Sequence, residues 1–240
     1  MRLYTIIIIS IFCNLALASG EETSIGEYFF DTYENDWVLM LGFGLTDTKI
    51  QHTETSSVTN FSSIGVDNSV SNTPISLSLM KEFMYQSRIS FSAMFTGGLN
   101  VGSGDDTVNG VAFEEDLSGF HVGAGVSVNV NYFTYGMKLQ PYIGAGVTRE
   151  SAQYEMVYES GVNSITTLYD YTGLLADINM GARLLDPEAE MMSFVNVSYI
   201  NPMSETVDAK ATVGTAEGVL NVVGLEKSKV LVSLGFGFLF

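Results

Sequence analysis

From Trp37 onward, large apolar side chains recur at every second position, and the positions between them are mostly small or polar. Trp37, Leu39, Leu41, Phe43 and Leu45 alternate with Val38, Met40, Gly42, Gly44 and Thr46, which predicts a first strand over about 36–48. A second strand carries Ile75, Leu77 and Leu79 opposite Ser76, Ser78 and Met80, and a third, over 88–96, carries Ile89, Phe91, Ala93 and Phe95. The fourth, over 118–129, sets Phe120, Val122, Ala124, Val126 and Val128 against Gly119, His121, Gly123, Gly125 and Ser127. In the fifth, Leu139, Pro141, Ile143, Ala145 and Val147 face away from Gln140, Tyr142, Gly144, Gly146 and Thr148; Pro141 stands near the strand start, where a missing donor is tolerated. The sixth, over 171–184, turns Leu174, Ala176, Ile178, Met180 and Ala182 one way and Gly173, Asp177, Asn179, Gly181 and Arg183 the other. The seventh, over 191–200, places Val195, Val197 and Tyr199 opposite Phe194, Asn196 and Ser198. The last, over 230–240, places Val230, Val232, Leu234, Phe236, Phe238 and Phe240 opposite Leu231, Ser233, Gly235, Gly237 and Leu239.

Between these strands the connections alternate in length. Segments 49–73, 97–116, 149–169 and 201–226 are long and rich in Ser, Thr, Asn, Gly and acid, whereas 82–87, 130–138 and the Asp186-Pro187-Glu188 turn are short. Short turns at one end and long segments at the other are the layout of a membrane barrel. The pattern therefore predicts an all-β fold: an eight-stranded antiparallel transmembrane up-and-down β-barrel, with large apolar groups toward lipid and small ones in a narrow lumen. A soluble Greek-key sandwich explains neither the alternation of loop length nor the glycine and serine on the nominal core side.

The beginning of the chain adds an export signal. Arg2 precedes an apolar run, Ile6–Leu17, too short to span a bilayer as a helix, and Ala16-Leu17-Ala18 supplies a small-x-small cleavage site, with a cut after Gly20 as the alternative. The expected organisation is a signal peptide over 1–20 and one barrel domain over 21–240. Cys13 lies inside the leader behind a bulky Phe12, unlike a lipidation site, so the mature chain has no cysteine for disulfides, thiolate catalysis or thiolate metal binding. The net charge of -17 argues against nucleic acid as a partner.

Among the polar and charged residues assigned to the inward parity, seven are singled out: Glu82, His121, Asp177, Asn179, Arg183, Asn196 and Lys229. In a narrow barrel they must pair, because an isolated buried charge is costly, so a polar network filling the lumen is expected in preference to an open pore. Asp177 and Arg183 are separated by about 20 Å of extended chain, and each is expected to find partners on other strands. Gly102-Ser103-Gly104-Asp105-Asp106 lacks the lysine and helix of a phosphate loop and the ligand spacing of a calcium loop. Glu114, Glu115, Asp116, Glu155, Glu159, Glu205, Asp208 and Glu217 are read as solvated loop charge, with divalent-cation bridging to lipopolysaccharide as the sharper alternative. No residue set points to a resident metal or cofactor. His52 and His121 are the only histidines, one in an outer segment and one inward, which does not suit a Ser-His-Asp arrangement, and no enzymatic activity is expected.

The run Leu139–Val147, the strand Gly173–Arg183 and the Phe-terminated end together resemble the small eight-stranded bacterial outer-membrane β-barrel superfamily. That superfamily includes the transmembrane domain of the outer-membrane protein A type, the neisserial opacity proteins and the Anaplasma–Ehrlichia surface antigens. The resemblance implies that Phe236, Phe238 and Phe240 form a closing-strand signal read by the barrel-assembly machinery, and that outer-membrane lipid and lipopolysaccharide surround the barrel. It also implies a surface antigen or adhesin-like role, the long external segments binding a host-surface or matrix ligand. A narrow porin-like channel and a purely structural outer-membrane protein are the alternatives. With the chain ending at Phe240, a periplasmic peptidoglycan-binding domain is not expected.

Overall fold

The computed structural model describes residues 37–52, 67–86, 88–108, 111–134, 136–160, 163–186, 189–213, 216–220, 222–227 and 229–240. The expected signal peptide, Cys13 and most of the segment before the second strand lie outside these residues. Among the described residues, eleven strands form one antiparallel sheet: β1 (Trp37–His52), β2 (Asp67–Gln86), β3 (Ile89–Val108), β4 (Val111–Val130), β5 (Tyr132–Thr134), β6 (Met137–Ser160), β7 (Asn163–Asp186), β8 (Met191–Val213), β9 (Ala216–Leu220), β10 (Val222–Lys227) and β11 (Val230–Leu239). Eight of them, β1-β11-β8-β7-β6-β4-β3-β2, run in a ring that closes where β2 pairs β1. The seam between first and last strands runs from Val38↔Leu239 to Leu45↔Val232, and the amide hydrogens of Trp37 and Phe240 bond reciprocally to each other's carbonyls at 3.1 and 3.0 Å. Short β5 folds back on the start of β6, and the turn between them needs the positive φ of Gly136.

The parity expected for each strand is the parity observed, except that Pro141, on the outward parity, is buried. Leu45, Leu77, Phe95, Leu99, Phe120, Val126, Ile143, Ile178 and Leu234 are all exposed on the outer wall, while Val38, Met40, Met80, Ser92, Ser127 and Gln140 are buried within. From Phe120 to Val130 the outer face is unbroken apolar surface, which at ~3.4 Å per residue and a tilt of ~40° stands about 25 Å tall. Such a contiguous belt is incompatible with water and matches the hydrocarbon core of a bilayer. Phe236, Phe238 and Phe240 lie in this belt on the outside of β11, the first two in edge-to-face contact with ring centroids 5.9 Å apart.

The strands are much longer than the alternation predicts. Segments 97–116 and 149–169, expected as loops, are instead strand hairpins, with β3 pairing β4 as far as Val108↔Val111 and β6 pairing β7 as far as Ser160↔Asn163. Gly102-Ser103-Gly104-Asp105-Asp106 is thus ladder, not a ligand loop. The cause is an inversion of the pattern: above the belt, Leu117, Ala152, Tyr154, Met156, Ile165, Tyr169 and Tyr171 are buried inside, while Glu114, Asp116, Gln153, Glu155, Asp170 and Thr172 are exposed outside. Period and parity continue, but the wall now faces water and its interior becomes an ordinary apolar core. Strands traced by apolar-outward alternation therefore stop at the membrane surface. Glu115 corrects the reading of these acids as solvated loop charge, since it is buried, whereas Glu114, Asp116, Glu155, Glu205 and Asp208 are exposed.

The eighth wall position divides in this upper region. β9 pairs β8 from Ala209↔Leu220 upward, whereas β10 leaves β8 and pairs β1 from Thr48↔Lys227 to His52↔Val222. Below, the amide of Ile200 bonds to the carbonyl of Lys229 at 2.8 Å. Between these two points no ladder joins residues 201–208 to β10 among the described residues.

Candidate functional site in the barrel lumen

The third of the lumen nearest Trp37 and Phe240 is filled from two sides. On the β1, β8 and β11 side lies an apolar cluster, Val38, Met40, Met80, Leu185, Met192 and Leu239, with Met94 and Phe194 packed against it. Phe194 reaches the lumen over two glycines paired across the seam, Gly42↔Gly235, whose missing side chains leave room for its ring.

Facing that cluster is a polar lattice. Lys138 Nζ donates to both carboxylate oxygens of Glu82 at 2.8 and 2.9 Å, and Gln140 Nε2 donates to Glu82 Oε1 at 2.8 Å and to Asn131 Oδ1 at 2.9 Å. The oxygen of the same Gln140 amide accepts from Arg183 Nη1 at 3.0 Å. Arg183 also donates to Asn129 Oδ1 at 3.1 Å and Ser127 Oγ at 3.4 Å, and its guanidinium lies 3.9 Å from the centre of the Tyr142 ring. Asn129 in turn donates to Ser90 and Ser92 at 3.1 and 2.8 Å. From Tyr142 the lattice continues through Asn196 Oδ1 at 3.0 Å to Ser198 at 2.8 Å and Ser233 at 3.4 Å. Strands β2, β3, β4, β6, β7, β8 and β11 are tied to one another through this layer, which a buried charge in a narrow lumen demands.

Higher in the barrel, Asn100 Nδ2 donates to Glu150 Oε1 at 2.8 Å, His121 Nδ1 lies 3.0 Å from Asn100 Oδ1, and Asn179 Nδ2 donates to Asp177 Oδ2 at 2.7 Å. Between these groups and the lattice is a cavity of about 210 Å3. Above it the buried rings of Tyr154, Tyr169 and Tyr171, with Leu117 and Met156, occupy the interior. Burial pushes the Tyr171 phenol up from its ordinary value, and the negative charges of Glu150 and Glu205 push it further. The folded barrel thus holds this proton where the unfolded chain releases it near 10.0, so stability is intact below that pH and falls as pH rises above it. We expect the unfolding midpoint in urea to be level from pH 8 to 10 and to drop above 10, with Tyr171→Phe flattening the drop; an identical drop in the variant would assign it to other groups.

The residues singled out by parity separate into three groups. Glu82 and Arg183 share the lattice through Gln140 without touching each other, and Asn196 joins it through Tyr142. His121 stands apart with Asn100 and Glu150. Asp177 meets Asn179 on its own strand, contrary to the expected partner on another, because Gly146 across the ladder leaves the carboxylate room to lie over it. Lys229 is no lumen residue: it is exposed at the bend before β11, where strand parity does not hold. Lys138, the counter-ion of Glu82, was hidden in the segment 130–138 read as a connection; extending the inward parity of Gln140 by one step finds it.

No protein-family model matches the chain, and no curated protein matches it. Solved structures do match. They include Ail, the attachment invasion locus protein of Yersinia pestis, at 12% identity over 86% of this chain and 99% of that one, TM-score 0.38. Neisserial surface protein A matches at 12% identity over 85% and 97%, TM-score 0.40, and the outer membrane protein OprG of Pseudomonas aeruginosa at 13% over 87% and 97%, TM-score 0.39.

Proposed function

We propose that this protein is a non-enzymatic outer-membrane barrel, exported by a cleaved signal peptide and inserted by the barrel-assembly machinery. Its upper walls serve as a surface-presented interaction platform, antigen- or adhesin-like, for a host-surface or matrix ligand. The observation that carries this reading is the continuation of the paired strands above the apolar belt with an inverted, water-facing exterior and a packed core. A barrel meant only to sit in the membrane has no need of such walls, and a packed interior suits presentation better than flow. Loops at the tips of rigid hairpins are positioned for contact with little ordering cost on binding.

Shortening the β3–β4 and β6–β7 hairpins to the level of the belt is the test. The expected result is loss of binding to host cells or matrix, with the folded, heat-shifted form on unheated gels retained; unchanged binding would sink the surface role. In planar bilayers the intact protein is expected to show no stable openings, because the lattice and the tyrosine layer fill the lumen. Stable openings altered by Arg183→Gln would instead favour the narrow-channel reading.

A further inference from the structure

We propose that the outer wall at the upper rim of the apolar belt binds the head group of an aminophospholipid, with its phosphate on Arg149 and its ammonium on the pair Asp170 and Asp208. Arg149 is exposed on the outer face of β6, directly between Val122 and Leu174 of the belt. A charge on a lipid-facing wall is costly except where it reaches the interface, and there it meets the phosphates of the head groups. Among the described residues the Arg149 side chain has no ion-pair or hydrogen-bond partner.

A second partnerless cation marks the same level. Lys229 is exposed beside the outward pair Val230↔Tyr199, and the ladder row through that pair runs on to Ile178 and Ala145. Rows descend in this direction round the barrel: one that leaves β1 at Leu45 through β11 arrives on β2 at Phe83, beyond Lys81, the partner of Trp37. At ~4.8 Å between strands and a tilt of ~40°, Ala145 stands about 9 Å below Val230. The climb along β6 from Ala145 to Arg149 regains about 10 Å. The two cations are therefore level, beside the interfacial ring of Tyr199, and mark the plane of the lipid phosphates.

Above that plane the sign changes. Asp170, further up β7 than Leu174, lies directly opposite Asp208, and both are exposed on the outer face. Like charges at opposed positions repel, and the Gln153 amide that donates to Asp170 Oδ1 at 2.9 Å is neutral. Neither carboxylate forms an ion pair among the described residues, with Lys210 on the same face of β8 or with any other. About 14 Å of ladder separates Arg149 from Asp170, a gap that the extended arginine side chain and an ethanolamine head group span together. One zwitterion thus answers both the unpaired cation and the crowded carboxylates. A head group without an amine leaves the carboxylates unrelieved, and one with further phosphates is repelled by them and by the opposed pair Asp116↔Glu155.

The test is native mass spectrometry of the full, detergent-folded chain, offered phosphatidylethanolamine, phosphatidylglycerol and phosphatidylcholine with identical acyl chains, and a phosphorylated glycolipid of the lipid A type. We expect phosphatidylethanolamine to be retained at least fivefold over each of the others. Arg149→Gln is expected to abolish that preference, and Asp170→Asn/Asp208→Asn to lower retention of phosphatidylethanolamine while raising that of phosphatidylglycerol. Arg88→Gln, which removes an exposed cation at the other end of the barrel, should leave the ranking unchanged. Heat-shifted mobility on gels checks that each variant is folded; should the aspartate variant not fold, Arg149→Gln and the parental ranking decide. Equal retention of the phospholipids, tighter retention of the glycolipid, or a ranking unchanged in folded Arg149→Gln would overturn the proposal.

Discussion

Gly235→Val is expected to stop the barrel from closing. A Cβ at position 235 would collide with the backbone carbonyl oxygen of Leu41 on the facing strand and stand 2.7 Å from the Phe194 ring. The ring can rotate away; the carbonyl belongs to the β1–β11 ladder and cannot move without opening the seam. Overpacking a core ordinarily costs ~1–3 kcal/mol, and here the obstruction is backbone at the seam between the first and last strands of the ring, so we expect the upper end of that range or beyond. The measurement is the fraction of heat-shifted, folded species after refolding into detergent. Gly97→Ala is the matched control, because a Cβ there meets nothing nearer than 3.9 Å, and it should fold like the parent. A Gly235→Val barrel that folds in parental yield would refute the seam argument.

Lys138→Met should be the most damaging change within the lumen. Lys138 and Glu82 have side chains only 4% and 10% exposed, so removing the ammonium leaves a buried carboxylate with the Gln140 amide as its remaining donor in the lattice. Breaking a buried pair from one side costs about 3–5 kcal/mol, whereas replacing both partners by apolar groups is often neutral. The double variant Glu82→Leu/Lys138→Met should therefore recover most of the loss. Urea unfolding of the four members of this cycle measures the coupling. A double variant no better than Lys138→Met would mean that Glu82 acts chiefly through Gln140 and the rest of the lattice, not through the lysine.

What could be read from the residues follows from which physics is local. Alternation is local, so the number of barrel strands, their faces and the inward position of Glu82, His121, Asp177, Asn179, Arg183 and Asn196 were all accessible from parity. Strand length was not, because the cue used was apolar outward, and the environment that gives that cue its sign ends at the membrane surface: Tyr154 and Met156 look like loop residues until the wall around them is known to face water. Pairing was not legible either. Asn129 and Gln140 meet Arg183 from other strands at a height set by register, and register is a property of the closed ring. Lys229 failed for the converse reason, since parity was carried past the end of the strand that justified it.

On the proposed surface role, the upward continuation of the ladder sets what an antibody would meet. Glu114, Asp116, Gln153 and Glu155 lie on adjacent strands, with Asp116 directly opposite Glu155 and Ser118 opposite Gln153, so neighbouring side chains on the outer wall come from distant parts of the sequence. An antibody resting there reads across strands. Free peptides copied from 97–116 or 149–169 lack the partner strands that create this face, and antisera raised against them should bind denatured protein on a blot while leaving intact cells unstained.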